Sequence, residues 1–129
     1  MITNNDAQEA LVAWLKANTT ITALDDNFPT EIREETWQGE KFSYPNIRVM
    51  CEITAGECYE NLYSVISCFS EEKSSKEAQN IAGIIAGEMH NKSFVQNSLR
   101  FSALTVKTIR AVQEEGVWKA DVQINGKVK

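Results

Sequence analysis

The sequence of 129 residues has little of the residue types on which metal and nucleophile chemistry depends. It contains one histidine, His90, and three cysteines, Cys51, Cys58 and Cys68. The cysteine spacing contains no C-x-x-C pair, and no signature next to any cysteine supports pairing with His90 in a nucleophilic site. We therefore expect reduced thiols, no bound metal and no cofactor, with His90 at a helix end.

Motifs for phosphate binding and acyl transfer are also absent, because the six glycines form neither a Walker-type loop nor a G-x-S-x-G segment. Adjacent carboxylates do occur, and we interpret them as solvated turn charges because a glycosidase pair needs a cleft between its two carboxylates. These pairs are Asp25-Asp26, Glu34-Glu35, Glu71-Glu72 and Glu114-Glu115. The sequence thus predicts a protein that is not an enzyme.

Positive charge is scarce and scattered. The formal net charge is -5, with 13 Lys and Arg residues spread along the chain, which disfavours direct nucleic-acid binding. The first residues carry no basic leader, and Asp6 and Glu9 interrupt their apolar part, so we expect neither a signal peptide nor a membrane span and a protein that stays in the cytoplasm. A hydrophobic content of 43% with only two prolines predicts one globular domain over residues 1–129.

Two amphipathic helices are predicted. Residues 5–17 place Leu11, Trp14 and Leu15 at helical spacing, with Asn4 or Asn5 as the N-cap and Asn18 as a left-handed stop. Residues 74–90 carry an apolar stripe of Ala78, Ile81, Ala82, Ile85 and Met89, and Ser74 and Glu77 have capping-box spacing.

The remaining apolar segments alternate as strands do. They cover residues 31–37, 46–54, 58–69, 99–112 and 117–124. Trp118 shares a face with Ala120, Val122 and Ile124, so we interpret Trp118 and the helical Trp14 as core residues. The order predicts an α+β fold: a mostly antiparallel sheet of about four to five strands, two main helices packed on it and a C-terminal β-hairpin.

Two regions carry residues that an isolated subunit does not obviously need. On the second helix, Lys76, Asn80, Gly83 and Gly87 lie opposite the apolar stripe, where small residues allow a close neighbour. The loop before residue 46 carries Trp37, Phe42 and Tyr44, and aromatic residues are enriched in interface cores. Both regions are candidate interfaces. The alternatives are a solvated helix face and a loop that folds back over its own sheet.

Taken in order, four segments resemble the tail terminator or tail completion proteins of long-tailed bacteriophages. They are "ALVAWLKAN", "FSYPNIRVMCEI", "YSVISCFSEEKSSKEAQNIAGII" and "GVWKADVQINGKV", and the resemblance covers nearly the whole chain. It is one of pattern and order, without a diagnostic motif.

The resemblance implies a non-enzymatic protein of the virion, made in the host cytoplasm. Such proteins form rings, typically hexamers, at the head-proximal end of the tail tube. Its partners would be further copies of itself, the tail tube protein and the head-tail connector, with DNA only passing through the lumen. The alternatives are a head-completion or neck protein of the same region and a bacterial protein-binding adaptor.

Overall fold

The computed structural model describes residues 1–35 and 42–129. The helices are α1 (Asn4–Ala17), the short α2 (Thr19–Thr22) and α3 (Lys76–Met89). The strands are β1 (Ile32–Glu34), β2 (Asn46–Thr54), β3 (Glu60–Ser70), β4 (Phe94–Gln96), β5 (Leu99–Glu114) and β6 (Val117–Val128).

The strands form one six-stranded sheet in the order β1-β2-β3-β6-β5-β4. Strand β1 runs parallel to β2, and every other neighbouring pair is antiparallel. The predicted α+β class and C-terminal hairpin are confirmed, whereas the count of four to five strands is wrong. The predicted strands did not include β4, because its three residues are too few to show an alternating pattern and polar residues flank them on both sides.

Both long helices pack on the same face of the sheet, which curls around them. Helix α1 contacts β1, β2 and also β4 at the opposite edge, while α3 contacts β3, β5 and β6. The core lies between the helices and the sheet. Its largest fully buried side chains include Leu11, Leu15, Ile47, Ile66, Ile85, Met89, Phe101 and Ile124.

The start of α1 differs from the prediction. Thr3, and neither Asn4 nor Asn5, is the N-cap, and it forms a capping box with Asp6. The Thr3 backbone N–H and hydroxyl lower the pKa of Asp6, because both hydrogen bonds favour the carboxylate. Asn18 does not end α1 in the left-handed region either: its φ is -82°, and its side chain caps α2.

The capping box predicted for α3 is also absent, since Ser75 is the N-cap and makes no side-chain cap bond. Glu77 accepts a hydrogen bond from the Ser70 hydroxyl at 2.8 Å, so β3 holds the carboxylate that the box would need. His90 is the C-cap residue of α3, as expected for a helix end, and its Nδ1 accepts the Val106 N–H of β5 at 3.0 Å.

The β4–β5 and β5–β6 hairpins each turn through two residues with positive φ. Glu115 and Gly116, at 50° and 81°, connect β5 to β6, and Asn97 and Ser98, at 52° and 64°, connect β4 to β5. Two successive residues with positive φ are typical of type I′ turns, which suit two-residue hairpins. Among the helices of the described residues, none has the length and apolar character needed to cross a membrane.

Trp14 and Trp118 are both half-buried and packed against the core. Trp14 stacks on Phe94 with a ring separation of 4.5 Å, and so ties α1 to β4. Trp118 lies on the helix side of β6, and its indole N–H donates to the Lys73 carbonyl at 3.4 Å.

Candidate interface surfaces

The candidate loop places its described aromatic residues against the sheet. Phe42 lies over Arg48 of β2, on the face of the sheet opposite the helices, with the guanidinium carbon 4.0 Å from the ring centroid. Phe69 of β3 covers the same guanidinium at 4.0 Å. Arg48 is therefore held between two aromatic rings, a favourable cation–π arrangement. Trp37, the third aromatic of this candidate, lies outside the described residues.

A shallow cleft adjoins this stack at the end of the sheet. Its volume is about 570 Å³, and its lining residues are Tyr44, Arg48, Phe69, Glu114, Glu115 and Val117. Tyr44 is half-buried, and its carbonyl accepts the Asn27 side-chain N–H at 2.8 Å, which fixes the chain just before β2. The cleft thus combines apolar ring surface with charges of both signs, as the rim of a protein interface does.

The second candidate is the outer face of α3. Lys76, Asn80, Gly83 and Gly87 are all exposed there, while Ala78, Ile81, Ala82, Ile85, Ala86 and Met89 are buried on the opposite side. A Cβ atom added at either Gly83 or Gly87 would meet nothing within 4 Å. Neither glycine is therefore required by the packing of the isolated subunit.

The two candidate surfaces do not come together. The α3 face lies on the helix side of the sheet and points away from it, whereas Phe42 and Tyr44 lie by the side that the helices leave open. A subunit in a closed ring uses two different complementary patches, so separation of this kind is compatible with a head-to-tail contact.

The cysteines occupy three different environments. Cys51 and Cys68 are buried and Cys58 is exposed. Burial raises the pKa of the Cys51 thiol to about 12, and it raises the pKa of Cys68 as well, with the nearby Asp121 adding to the effect. Among the described residues, no cluster of three or more His, Cys, Asp or Glu side chains is placed to hold a metal ion.

Sequence reasoning missed two features of the structure. Arg48 and Phe69 each lie on an alternating strand, and nothing in the spacing indicated that Phe42 would complete a stack with them. Ile109 of β5 is 42% exposed although it lies on the face of the sheet that the helices cover. Strand β5 has 16 residues and its neighbour β4 has three, so the exposure of Ile109 could be expected only once β4 was known.

Comparison with known proteins finds similarity in structure alone. No family model and no curated protein matches the sequence. A chain in the structure of the virion of a native gene transfer agent (GTA) particle is similar with a TM-score of 0.72 and 16% identity, over 94% of this chain and 92% of that one. A second solved structure has a TM-score of 0.65 and 10% identity, over 95% and 90% of the two chains. This chain therefore has the fold of both.

Proposed function

We propose that this protein is a structural, non-enzymatic component of a virion. Its specific role would be that of a tail terminator: a ring, hexameric when assembled, at the head-proximal end of the tail tube. In that position it stops tube polymerisation and presents a surface for joining the head. The protein would be made in the host cytoplasm and end in the virion.

The observation that carries this proposal is the similarity to a chain of the GTA virion over more than nine-tenths of both chains. The sequence resemblance to tail terminator proteins supports the same role independently, because it rests on the order of four segments along the chain.

The charge distribution is also compatible with this role. The net charge is -5, so a ring of these subunits would let DNA pass without binding its phosphates tightly. The subunit or tail-tube contacts would use the outer face of α3 (Lys76, Asn80, Gly83 and Gly87), the Phe42–Tyr44 region, or both. Trp37 belongs to the second of these proposed contacts.

The test is tube polymerisation with the tail-tube subunit encoded in the same genome. Tubes assembled with and without this protein are compared by electron microscopy, with a tag on the protein to mark its position. We expect the tag at one end only and no growth from that end. Tubes that lengthen normally and carry no tag would refute the proposal.

Two alternative roles give different results in the same experiment. A head-completion or neck protein would bind isolated connector-bearing heads and leave bare tubes uncapped. A bacterial protein-binding adaptor would bind neither. The presence of tail-tube and tape-measure genes beside this gene would favour the terminator.

A further inference from the structure

The outer edge of β5 is open over the second half of the strand. Strand β4 pairs only with Leu99, Arg100 and Phe101, and farther along the edge the Leu104 carbonyl and the Val106 N–H bond to Asn91 and His90 at the end of α3. No strand of the described residues pairs with that edge between residues 107 and 114. The two register shifts of β5 lie before this stretch, so residues 108–114 are regular strand.

Backbone groups on this edge point outward at every second residue. The turn at Glu115 and Gly116 makes Glu114 and Val117 a hydrogen-bonded pair, and the antiparallel alternation then directs the N–H and C=O groups of Ile109, Ala111 and Gln113 away from β6. Such a row of donors and acceptors is a template for another strand.

At the opposite edge of the sheet, no strand among residues 1–35 and 42–129 pairs with the outer side of β1 at the same level. Strand β1 directs Glu31 and Glu35 toward β2, through the bonds of Ile47 N–H to Glu31 O and of Glu35 N–H to Val49 O, so the backbone groups of Ile32 and Glu34 face outward. The Ile32 N–H already donates to the Pro29 carbonyl at 3.0 Å, which leaves the Ile32 carbonyl and both Glu34 backbone groups for another strand. Paired residues can be followed across the sheet from β1 to β5. One such row is Ile32, Ile47, Cys68, Ala120 and Ala111, and another is Glu34, Val49, Ile66, Val122 and Ile109.

We propose that β5 of one copy adds to β1 of the next, so that the sheet continues from subunit to subunit. Because β1 is parallel to β2 and three antiparallel steps lead from β2 to β5, the two edges meet antiparallel in copies that point the same way. Because the two edges lie at the same height along the strand direction, successive copies can close into a ring instead of climbing into a helix. The two edges are different surfaces, as a heterologous contact requires. The closed ring rests on the proposed function; the edge contact does not.

The register determines which side chains of the two edges would meet. Ile109, 42% exposed on the helix side of β5, would lie opposite Glu34 and beside a cleft of about 510 Å³ next to β1. That cleft is apolar at Val12, Pro29 and Ile32 and polar at Lys16, Thr30, Arg33 and Glu34. On the other face, Arg110 would lie opposite Arg33, which Glu31 neutralises at 3.1 Å, and diagonally next to Glu35. Thr108 would lie directly opposite Glu35.

Cysteine cross-linking tests the contact and its register. In a Cys58→Ser background, chains carrying Thr108→Cys and Glu35→Cys together are concentrated with and without tail tubes and then oxidised. We expect a ladder of covalent oligomers that ends at a closed ring, and heterodimers when the two single variants are mixed. No cross-link, or dimers from either single variant alone, would overturn the proposal. The pair Arg110→Cys with Glu35→Cys serves as the register control and should cross-link less.

Proline variants give a second test that does not depend on oxidation. Ala111→Pro removes an N–H that points outward and leaves the β5–β6 ladder intact, so the monomer should melt as the wild type does while assembly in native mass spectrometry is lost. Val95→Pro is the matched control. It removes an outward N–H from the edge of β4, where Val95 is 56% exposed, and should leave assembly unchanged. Normal assembly of Ala111→Pro, or equal loss in both variants, would refute the contact.

The outcomes separate this contact from the proposed function. A protein that caps tail tubes without the Thr108–Glu35 cross-link remains a terminator with a different subunit contact. A protein that forms the cross-linked ring but caps no tubes has the contact without that function.

Discussion

Three glycines allow the packing of single residues to be tested. Gly83 and Gly87 lie in α3 with nothing within 4 Å of an added Cβ, whereas a Cβ on Gly126 of β6 would lie 2.7 Å from Leu104 Cδ2 and 3.2 Å from the Ser102 carbonyl oxygen. We expect Gly83→Ala and Gly87→Ala each to raise the free energy of unfolding of the monomer by about 1 kcal/mol, through helix propensity. Gly126→Ala should lower it by about 1–3 kcal/mol, through overpacking.

Denaturant unfolding of the three variants measures both effects on the same scale. Equal changes in the free energy of unfolding for Gly83→Ala and Gly126→Ala would contradict the predicted difference in packing. If the α3 face is an interface, the stabilised Gly83→Ala monomer should assemble less well than the wild type, since the added methyl group keeps a neighbouring backbone away.

Thiol reactivity is the second prediction at this scale. Cys58 is exposed, while Cys51 and Cys68 are buried with raised pKa values, and only the thiolate reacts quickly with maleimides and related reagents. We expect one label per chain at pH 8 in the native state and three after unfolding, counted by mass spectrometry. Cys58→Ser should take no label while folded. Rapid labelling of Cys51 in that variant would contradict the burial described here.

At the scale of elements, α1 closes the edge of β2 that β1 leaves open. The Gln8 side-chain oxygen accepts the Cys51 N–H at 3.0 Å, and the Asn4 side-chain oxygen accepts the Ile53 N–H at 2.8 Å. Strand β1 reaches only as far as Val49, so these two side chains replace a neighbouring strand for the rest of β2.

Removal of the Gln8 side chain tests that role. Gln8 is buried, so Gln8→Ala would leave the Cys51 N–H without a partner in the core and should lower the free energy of unfolding by about 1–3 kcal/mol. Asn5→Ala is the control, because Asn5 is exposed and donates to Glu9 at the surface, so its removal should change stability little. Amide hydrogen exchange at Cys51 should become faster in Gln8→Ala alone; unchanged exchange there would refute the assignment.

The same elements explain what the sequence could and could not predict. The long helices and strands were predictable because Ile81 and Ile85 or Val49 and Cys51 repeat with the period of their element. Caps were mispredicted because several polar residues compete for one position: Thr3 replaced Asn4, whose side chain binds β2 instead. The parallel β1–β2 pair and the Arg48 stack depend on contacts between distant segments, which periodicity does not encode.

At the scale of the whole molecule, the two candidate surfaces lie on opposite sides of the sheet, and each can be altered without disturbing the other. Gly83→Arg adds bulk and charge to the outer face of α3, where space is open. Phe42→Glu replaces one ring of the Arg48 stack by a carboxylate that Arg48 can still bind. Both monomers should therefore melt close to the wild type, as followed by circular dichroism.

The last prediction concerns assembly of these two variants. We expect at least one of Gly83→Arg and Phe42→Glu to lose tube capping, because an interface core tolerates neither a new charge nor a long side chain that has no partner. Phe42→Tyr, which keeps the aromatic ring over Arg48, is the matched control and should cap tubes normally. Tail length and end-labelling are measured for each variant beside monomer melting. If both charged variants fold and still give tails of normal length, neither Gly83 nor Phe42 lies in a contact that the ring or the tube requires. The contact surfaces then lie elsewhere, and the edges of β1 and β5 are the next pair to test.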